Sequence, residues 1–349
     1  MNIHRSFPKK LDFRTGTVDL MHGAGGKASA QLVEELFLPA LGNSFLEQGD
    51  DQASLNLNGR VVVSTDGHVV SPLFFPGGDI GCLAVHGTVN DVSVGAATPK
   101  FLTASFVLEE GFPLADLKKI AMSMGEAARA AGVQIVAADT KVVERGKGDG
   151  VYISTTGVGV GHAHVKTPPA ASRLEPGDKI LLSGPVGAHG VAILAARNDL
   201  PLMSPIVSDT APLNTLIETL TKTVPDVHAM RDPTRGGLAT SVNELCRSSG
   251  VGAELDEEAI PVDRAVEAAS EILGVDPLYL ANEGKLVAVV APEDADAALA
   301  AMRGHPLGEK SAIIGTVNDD PYNFVQMKTL MGGHRLVDWL TGDPLPRIC

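Results

Sequence analysis

Acidic residues in short polar contexts are the first groups in this chain that could do chemistry. Asp66 directly follows the apolar run RVVVST, Asp139 directly follows VQIVAA, and Asp50-Asp51 and Asn90-Asp91 are adjacent pairs. Hard oxygen ligands at strand ends suit Mg²⁺, which then bridges to substrate phosphates. One such Asp is more often a helix or turn cap, and spacing alone does not bring several together. Two glycine-rich turns could take the phosphates. His22-Gly23-Ala24-Gly25-Gly26-Lys27 precedes Leu32, Val33, Leu36 and Phe37 at helical spacing. Asp232-Pro233-Thr234-Arg235-Gly236-Gly237 precedes Leu238, Val242 and Leu245. Backbone N–H groups at a helix start cradle anions, and Arg235 adds a fixed cation. Neither turn is a Walker A loop, since Ala28 follows Lys27 where that motif needs Ser or Thr. Plain turn or N-cap chemistry accounts for each turn taken alone.

Thiols and imidazoles are the other reactive groups. Cys82 and Cys246 sit in helical apolar patterns and read as core. Cys349 is the last residue of a Pro-spaced tail, GDPLPRIC. The sequence predicts an exposed thiol there with an ordinary pKa of ~8.5, either a nucleophile or a terminal residue without a role. His162 and His164 could share a strand face around a metal, but Pro168-Pro169 beside them predicts a solvated loop. His22 lies beside the glycines. Gly157-Val-Gly159-Val-Gly161 follows a strand but leads into HAHVKTPP rather than a helix, which excludes a dinucleotide fingerprint and predicts tight backbone packing.

The elements that must hold these groups alternate between strand and helix. Residues 60–65, 101–107, 133–138 and 151–160 read as strands, and 80–97 and 113–131 as helices. Periodicity stops around KTPPAASRLEPG, residues 166–177, which marks a domain boundary. Beyond it, 179–183, 285–291 and 311–317 read as strands and 187–198, 236–249 and 294–303 as helices. The expected fold class is α/β (α+β) in two domains, 20–165 and 172–330, with an extension at 1–19 and a tail at 331–349.

Composition narrows the function classes. The 349 residues are 44% hydrophobic and 20% charged, with a mean hydropathy of +0.13. A net charge of −14, no basic run and 4% aromatic residues argue against nucleic-acid and anionic-membrane binding. The charge is uneven, −4 over residues 1–165 and −10 over the rest, so the amino-terminal part suits a polyanionic ligand better. No stretch is long enough to span a bilayer, the start lacks an apolar signal region, and three Cys make no disulfide framework. A cytoplasmic location is expected.

The segments HGAGGK, STDGHVVSPLFFPGGDIG, GTVNDVSVGAATP, DTKVVERG, DPTRGGLA and ANEGKLV, in that order, resemble the aminoimidazole-ribonucleotide-synthetase-like (PurM-like) ATP-binding superfamily. The terminal PRIC resembles its hydrogenase-maturation branch. The resemblance covers about residues 20–349. Ala138 stands where the family usually has Gly, and Pro233 where Ala is frequent. The glycine-rich segment has no Cys, unlike the selenophosphate synthetases.

The resemblance implies an amino-terminal α/β domain whose sheet pairs with that of a second subunit, giving a homodimer, and a carboxy-terminal α/β domain, with ATP between domains near the dimer interface. It implies Mg²⁺ on Asp51, Asp66, Asn90, Asp91 and Asp232. Nucleotide contacts fall to Gly23, Gly25, Gly26, Lys27, Asp139, Thr140, Arg235 and Gly236. Cys349, Lys141 and Glu283 become the catalytic candidates, Glu283 as base, with a salt bridge and a phosphate contact as the plain alternatives for Glu283 and Lys141. The implied reaction is ATP-dependent dehydration of a carbamoyl group on Cys349 to a thiocyanate. It is loaded by a carbamoyltransferase, HypF, and unloaded onto an iron-bearing HypC–HypD scaffold for nickel–iron hydrogenase. Two other classes stay open: a small-molecule synthetase or kinase that does not need Cys349, and a non-enzymatic carrier indifferent to Asp66 and Asp91.

Overall fold

The computed structural model describes residues 7, 9–48, 52–197, 206–339 and 347–349. Among these, the amino-terminal part opens with α1 (Lys27–Leu32), a π-helical turn at Val33–Phe37 and α2 (Leu38–Leu41). The sheet strand β1 (Val61–His68) follows, then the small hairpin β2 (Phe74–Phe75) and β3 (Gly78–Asp79). Helix α3 (Ile80–Val94), β4 (Ala97–Glu109), α4 (Leu114–Ala131), β5 (Gln134–Val143) and β6 (Val151–Gly161) complete the unit. The sheet order is β1-β6-β4-β5, antiparallel except for the parallel pair β4–β5.

Helices α3 and α4 cover one face of this sheet. The other face is bare, with Val61 and Val63 48% and 60% exposed. Helix α3 is buried along nearly its whole length, as its small, apolar composition dictates. Glycines make the close approach possible. A side chain at Gly157 or Gly159 of β6 would meet Val92 at 2.8 or 2.5 Å, so the GxGxG run serves packing, as its sequence context predicts. Where α3 crosses α4, a Cβ at Gly81 would lie 2.2 Å from the Ile120 carbonyl oxygen. Backbone cannot yield there as a side chain would. Gly81→Ala is therefore expected to cost about 2–3 kcal/mol and lower the melting temperature by several degrees in a thermal scan. The amino-terminal arm is partly docked: Thr17 bridges to Pro113, and Val18 is buried.

The carboxy-terminal part contains β7 (Lys179–Leu182), α5 (Ala188–Arg197), α6 (Asn214–Thr223), β8 (Ala229–Arg231), α7 (Gly237–Ser249) and β9 (Gly252–Asp256). It continues through α8 (Arg264–Leu273), β10 (Val287–Val290), α9 (Ala295–Arg303), β11 (Ala312–Asn318), β12 (Val325–Lys328) and β13 (His334–Leu336). The sheet order is β13-β12-β9-β11-β7-β10-β8. Ile180 and Leu182 pack with Leu238 and Val242 on one face, and Leu181 packs with Leu216 and Ile217 on the other. Covered faces explain the unbroken apolar runs KILL and VAVV. This sheet takes in β13, past the expected edge at 330.

Two expectations about strand ends need correcting. Strand β1 runs on through Asp66 to His68, and β5 runs on through Asp139 to Val143. The acids project from within strands of a mostly antiparallel sheet. They do not cap the carboxyl ends of a parallel one, so a switch-point crevice is not what gathers them.

Candidate active site

Strand alternation puts Ser64, Asp66 and His68 of β1 on the face that meets α3. The Ser64 hydroxyl donates to Asp91 Oδ2 at 2.8 Å, and Asp66 lies 3.6 Å from the buried His68 Nε2. Gly87 of α3 leaves the room, since a Cβ there would be 3.2 Å from His68 and 3.4 Å from Asp66. Asp232 comes in from the loop after β8 and is itself buried. Asp91 and Asp232 line one open cleft of about 370 Å³ with Arg231 and Thr234.

These carboxylates feel one another. Burial, opposed by the Ser64 hydroxyl and aided by Asp66, pushes Asp91 upward. Burial and then Asp91 push Asp232 up to about 7. Excess buried negative charge of this kind is what a divalent cation relieves. Among the described residues, no three His, Cys, Asp or Glu side chains are grouped tightly enough to hold an ion on their own. Mg²⁺ needs fewer, because it keeps waters and takes substrate phosphate oxygens. Asp51 lies outside the described residues. Asn90, expected as a metal ligand, is spent on structure: its Oδ1 accepts from the Leu213 N–H at 2.7 Å, and its Nδ2 donates to the Ala211 and Glu283 carbonyls.

That clamp helps fix Glu283. Its N–H donates to Asp209 Oδ1, and its carbonyl accepts from the Ala211 N–H. Gly284 presses on the same loop, where a Cβ would lie 1.9 Å from the Asp209 carbonyl oxygen. The largely buried pair Lys285–Asp209 closes it at 2.9 Å. Asn282 ties the segment to the Asp232 loop by donating to the Pro233 carbonyl and accepting from the Gly187 N–H. The main chain of Glu283 is thus fully held, yet its Oε1 is buried with no hydrogen-bond partner. Burial, with Asp232 and Asp209 next in effect, raises this carboxyl well above the ordinary range.

The last residue reaches the same place. Cys349 packs against the amino-terminal core beside the buried Ile348, so the exposed tail expected from sequence is not what forms. Burial and the Glu283 carboxyl push its thiol up to about 12, against the pull of the Arg235 guanidinium that bonds it. Arg235 owes its position to Gly236 and Gly237, both left-handed at φ +77° and +63°. A Cβ at Gly237 would strike the Leu278 and Leu280 carbonyl oxygens at 2.5 and 2.6 Å.

The remaining nucleotide candidates are elsewhere. Asp139, Thr140 and Lys141 lie on β5, with Asp139 and Lys141 paired at 2.6 Å and both exposed. Asp66 is in register with Thr155, Thr155 with Ala104, and Ala104 with Ala138. Three strand spacings make about 14 Å. Within one chain, Lys141 is therefore across the sheet from the acids. A second cavity, about 580 Å³, opens there. Its lining includes the apolar Leu32, Phe37, Phe45 and Phe106 and the polar or glycine positions His22, Gly23, Gly25, Asp139, Thr140 and Lys141. Gly23 fits only as glycine, 2.6 Å being left between its Cβ position and Val142 N, whereas Gly25 and Gly26 face open space. Gly26 caps the short α1, which Lys27 begins. His22 serves a capping box with Asp19. His162 and His164 stack on each other and share the Thr221 hydroxyl.

The chain is similar to known proteins in both of its domains. The model of the AIR synthase related protein N-terminal domain matches residues 49–161, and that of its C-terminal domain matches 175–328. The carbamoyl dehydratase HypE of Cupriavidus necator is 59% identical over 345 residues, 98% of each chain. A crystal structure of the hydrogenase maturation protein HypE in complex with ATP superimposes with a TM-score of 0.91 at 48% identity, covering 95% of this chain and 99% of that one. A HypE–HypF complex matches at a TM-score of 0.78 and 48% identity, over 88% of this chain and 99% of that one. Matched in both domains and aligned over nearly its whole length, the chain belongs to the HypE family of carbamoyl dehydratases.

Proposed function

We propose that this chain dehydrates a carbamoyl group carried on its own Cys349 to a thiocyanate, using ATP, and so supplies cyanide for the iron of nickel–iron hydrogenase. The observation that carries the reading is the seat of Cys349, beside Arg235 and the Glu283 carboxyl, whose buried Oε1 has no hydrogen-bond partner among the described residues. The carboxamide oxygen attacks the γ-phosphate of ATP, the bond to the bridging oxygen breaks and ADP leaves, and the carboxamide oxygen later departs as part of inorganic phosphate. The two amide protons are removed and a carbon–nitrogen triple bond remains. Glu283 is the base; a raised pKa makes its ionised form a stronger proton acceptor than an ordinary carboxylate. Arg235 positions the sulfur. Asp66, Asp91 and Asp232 would hold Mg²⁺, which supplies charge neutralisation at the phosphates when bound.

Thr140, Lys141, Gly23 and Gly25 around the larger cavity form a second half-site, whose aromatic lining suits a nucleoside. Its separation from Asp66 within one chain, and the bare apolar face of the β1-β6-β4-β5 sheet, support a homodimer in which each complete site draws on both copies. HypF is the carbamoyl donor and the HypC–HypD scaffold the acceptor in this reading, set in the cytoplasm. No helix among the described residues is long and apolar enough to cross a membrane.

Intact mass of the chain with its carbamoyl donor system tests the proposal. A carbamoyl gain that loses one water only with Mg–ATP, and that is absent from Cys349→Ala, is expected. ATP turnover on a free metabolite with the chain's mass unchanged would replace the reading with an ordinary synthetase.

The seated thiol predicts a pH effect. The free thiol titrates at ~8.5 and the seated one at about 12, so the seat prefers the protonated form. Below ~8.5 seating is independent of this group; above it, each pH unit weakens seating about tenfold until the higher value is passed. Amide protection at Val69 and Ser71, whose N–H groups donate to the Cys349 carboxylate and the Arg347 carbonyl, should fall accordingly, and should stay flat in Cys349→Ser.

A further inference from the structure

The three terminal residues are held by groups that the dehydration chemistry does not use. A terminal carboxylate oxygen of Cys349 accepts from the Val69 N–H at 2.9 Å, and the Arg347 carbonyl from the Ser71 N–H at 3.1 Å. Arg197, at the end of α5, donates to the Arg347 carbonyl at 2.8 Å and to the Ser71 carbonyl at 3.0 Å, so one guanidinium clips the terminus to the strip it lies on. His189, the second residue of α5 and wholly buried, lies 2.7 Å from the Ile348 carbonyl through Nε2 and 2.7 Å from the Ser208 hydroxyl through Nδ1. A carbonyl only accepts, so the proton sits on Nε2, and the Ser208 hydroxyl donates to Nδ1. Both carbonyls and one carboxylate oxygen of the last three residues are therefore taken.

Side chains are read as well. The Arg347 guanidinium pairs with Asp149, between β5 and β6, and Ile348 fills the core at 3% exposure. Arg347 itself is left-handed at φ +60°, a conformation a non-glycine residue keeps only where its surroundings hold it. Nothing in this arrangement touches the sulfur, so it is indifferent to what the sulfur carries.

We infer that His189 and Arg197 are positioning residues, which with the 69–71 strip and Asp149 form a seat for the terminal Arg-Ile-Cys backbone in the same chain. This rests on the dehydratase reading. In that reading the thiol must be open to a carbamoyl donor while it is loaded and must lie beside Glu283 while it loses water. The seat then has opposite effects on the two half-reactions: it hides the thiol from the donor, and it is required for loss of water.

The test uses the full-length chain and its His189→Ala, Arg197→Ala and His189→Gln variants. Alkylation of Cys349 by iodoacetamide should speed up about tenfold in the two alanine variants, as expected for a lost buried or charged hydrogen bond. Carbamoyl loading should rise with it, while single-turnover water loss with Mg–ATP slows by a similar factor. His189→Gln keeps a donor for the Ile348 carbonyl and should recover most of the wild-type behaviour in all three. Unchanged alkylation, or loading and dehydration falling together as they would in a damaged fold, overturns the seat. A wild-type chain that loads but never loses water overturns the dehydratase reading instead, and the alkylation comparison still decides whether the seat exists.

Discussion

A Glu283→Gln chain is expected to accept a carbamoyl group on Cys349 and then keep it, with Mg–ATP no longer driving loss of water. General base catalysis contributes about 10²–10⁴-fold, and a glutamine cannot take the amide protons, so the single-turnover rate should fall by about 10³. Folding gives no route to the same result. The main chain of this residue is held by Asp209, Ala211 and Asn90 whatever its side chain, and the amide has the carboxyl's shape. Replacing a buried carboxyl crowded by Asp232 and Asp209 with a neutral amide relieves repulsion, so the melting temperature should hold or rise. Loss of turnover with retained stability separates a base from a structural acid. A rate within about fivefold of wild type would mean that the amide protons go elsewhere.

The sequence carried the chemical groups further than it carried their arrangement. Asp66, Asp91, Asp232 and Glu283 were legible as isolated acids, but their convergence depends on Gly87, Asn90 and Asn282, which look like ordinary helix and loop residues. Helix α4 was readable because burial on one face leaves a repeating signature, whereas α3, buried almost throughout, shows only as a run of small, apolar residues. Strands β8, β9, β12 and β13, of three to five residues, are too short to leave one. Strand β5 was cut short at Asp139 because DTK breaks the apolar run, although the backbone continues to pair with β4 as far as Val143. His189, Arg197 and Asp209 went unseen for a different reason. His189 and Arg197 work on carbonyls 159 and 150 positions away, and a carbonyl has no signature in a side-chain alphabet. The same blindness put Cys349 in solvent. The seat for Ile348, the Arg347–Asp149 pair and the hydrogen bonds from His189, Arg197, Val69 and Ser71 bring it indoors.

Mixing two inactive chains is expected to restore activity, and this prediction is the most demanding of the dimeric reading. Asp66→Asn removes an acid from the half-site that receives Cys349. Lys141→Ala removes a cation from the half-site about 14 Å away across the same sheet. Each alone should lower turnover by about 10² or more, through lost charge stabilisation at the phosphates. If every complete site takes its acids and terminus from one copy and its β5 residues from the other, a mixed dimer has one site with both lesions and one with neither. Random exchange of subunits makes half the dimers mixed, so about a quarter of the wild-type sites return. A chain carrying both substitutions, mixed with wild type, supplies the control: its mixed dimers have one lesion in each site and should contribute nothing beyond the wild-type homodimers. The distance alone makes the outcome informative. A lysine side chain spans roughly 6 Å from its Cα, so Lys141 cannot reach the acids of its own chain while β5 stays paired with β4. Failure of the mixture to recover, with subunit exchange verified by mass, would leave Lys141 a partner of Asp139 and nothing more.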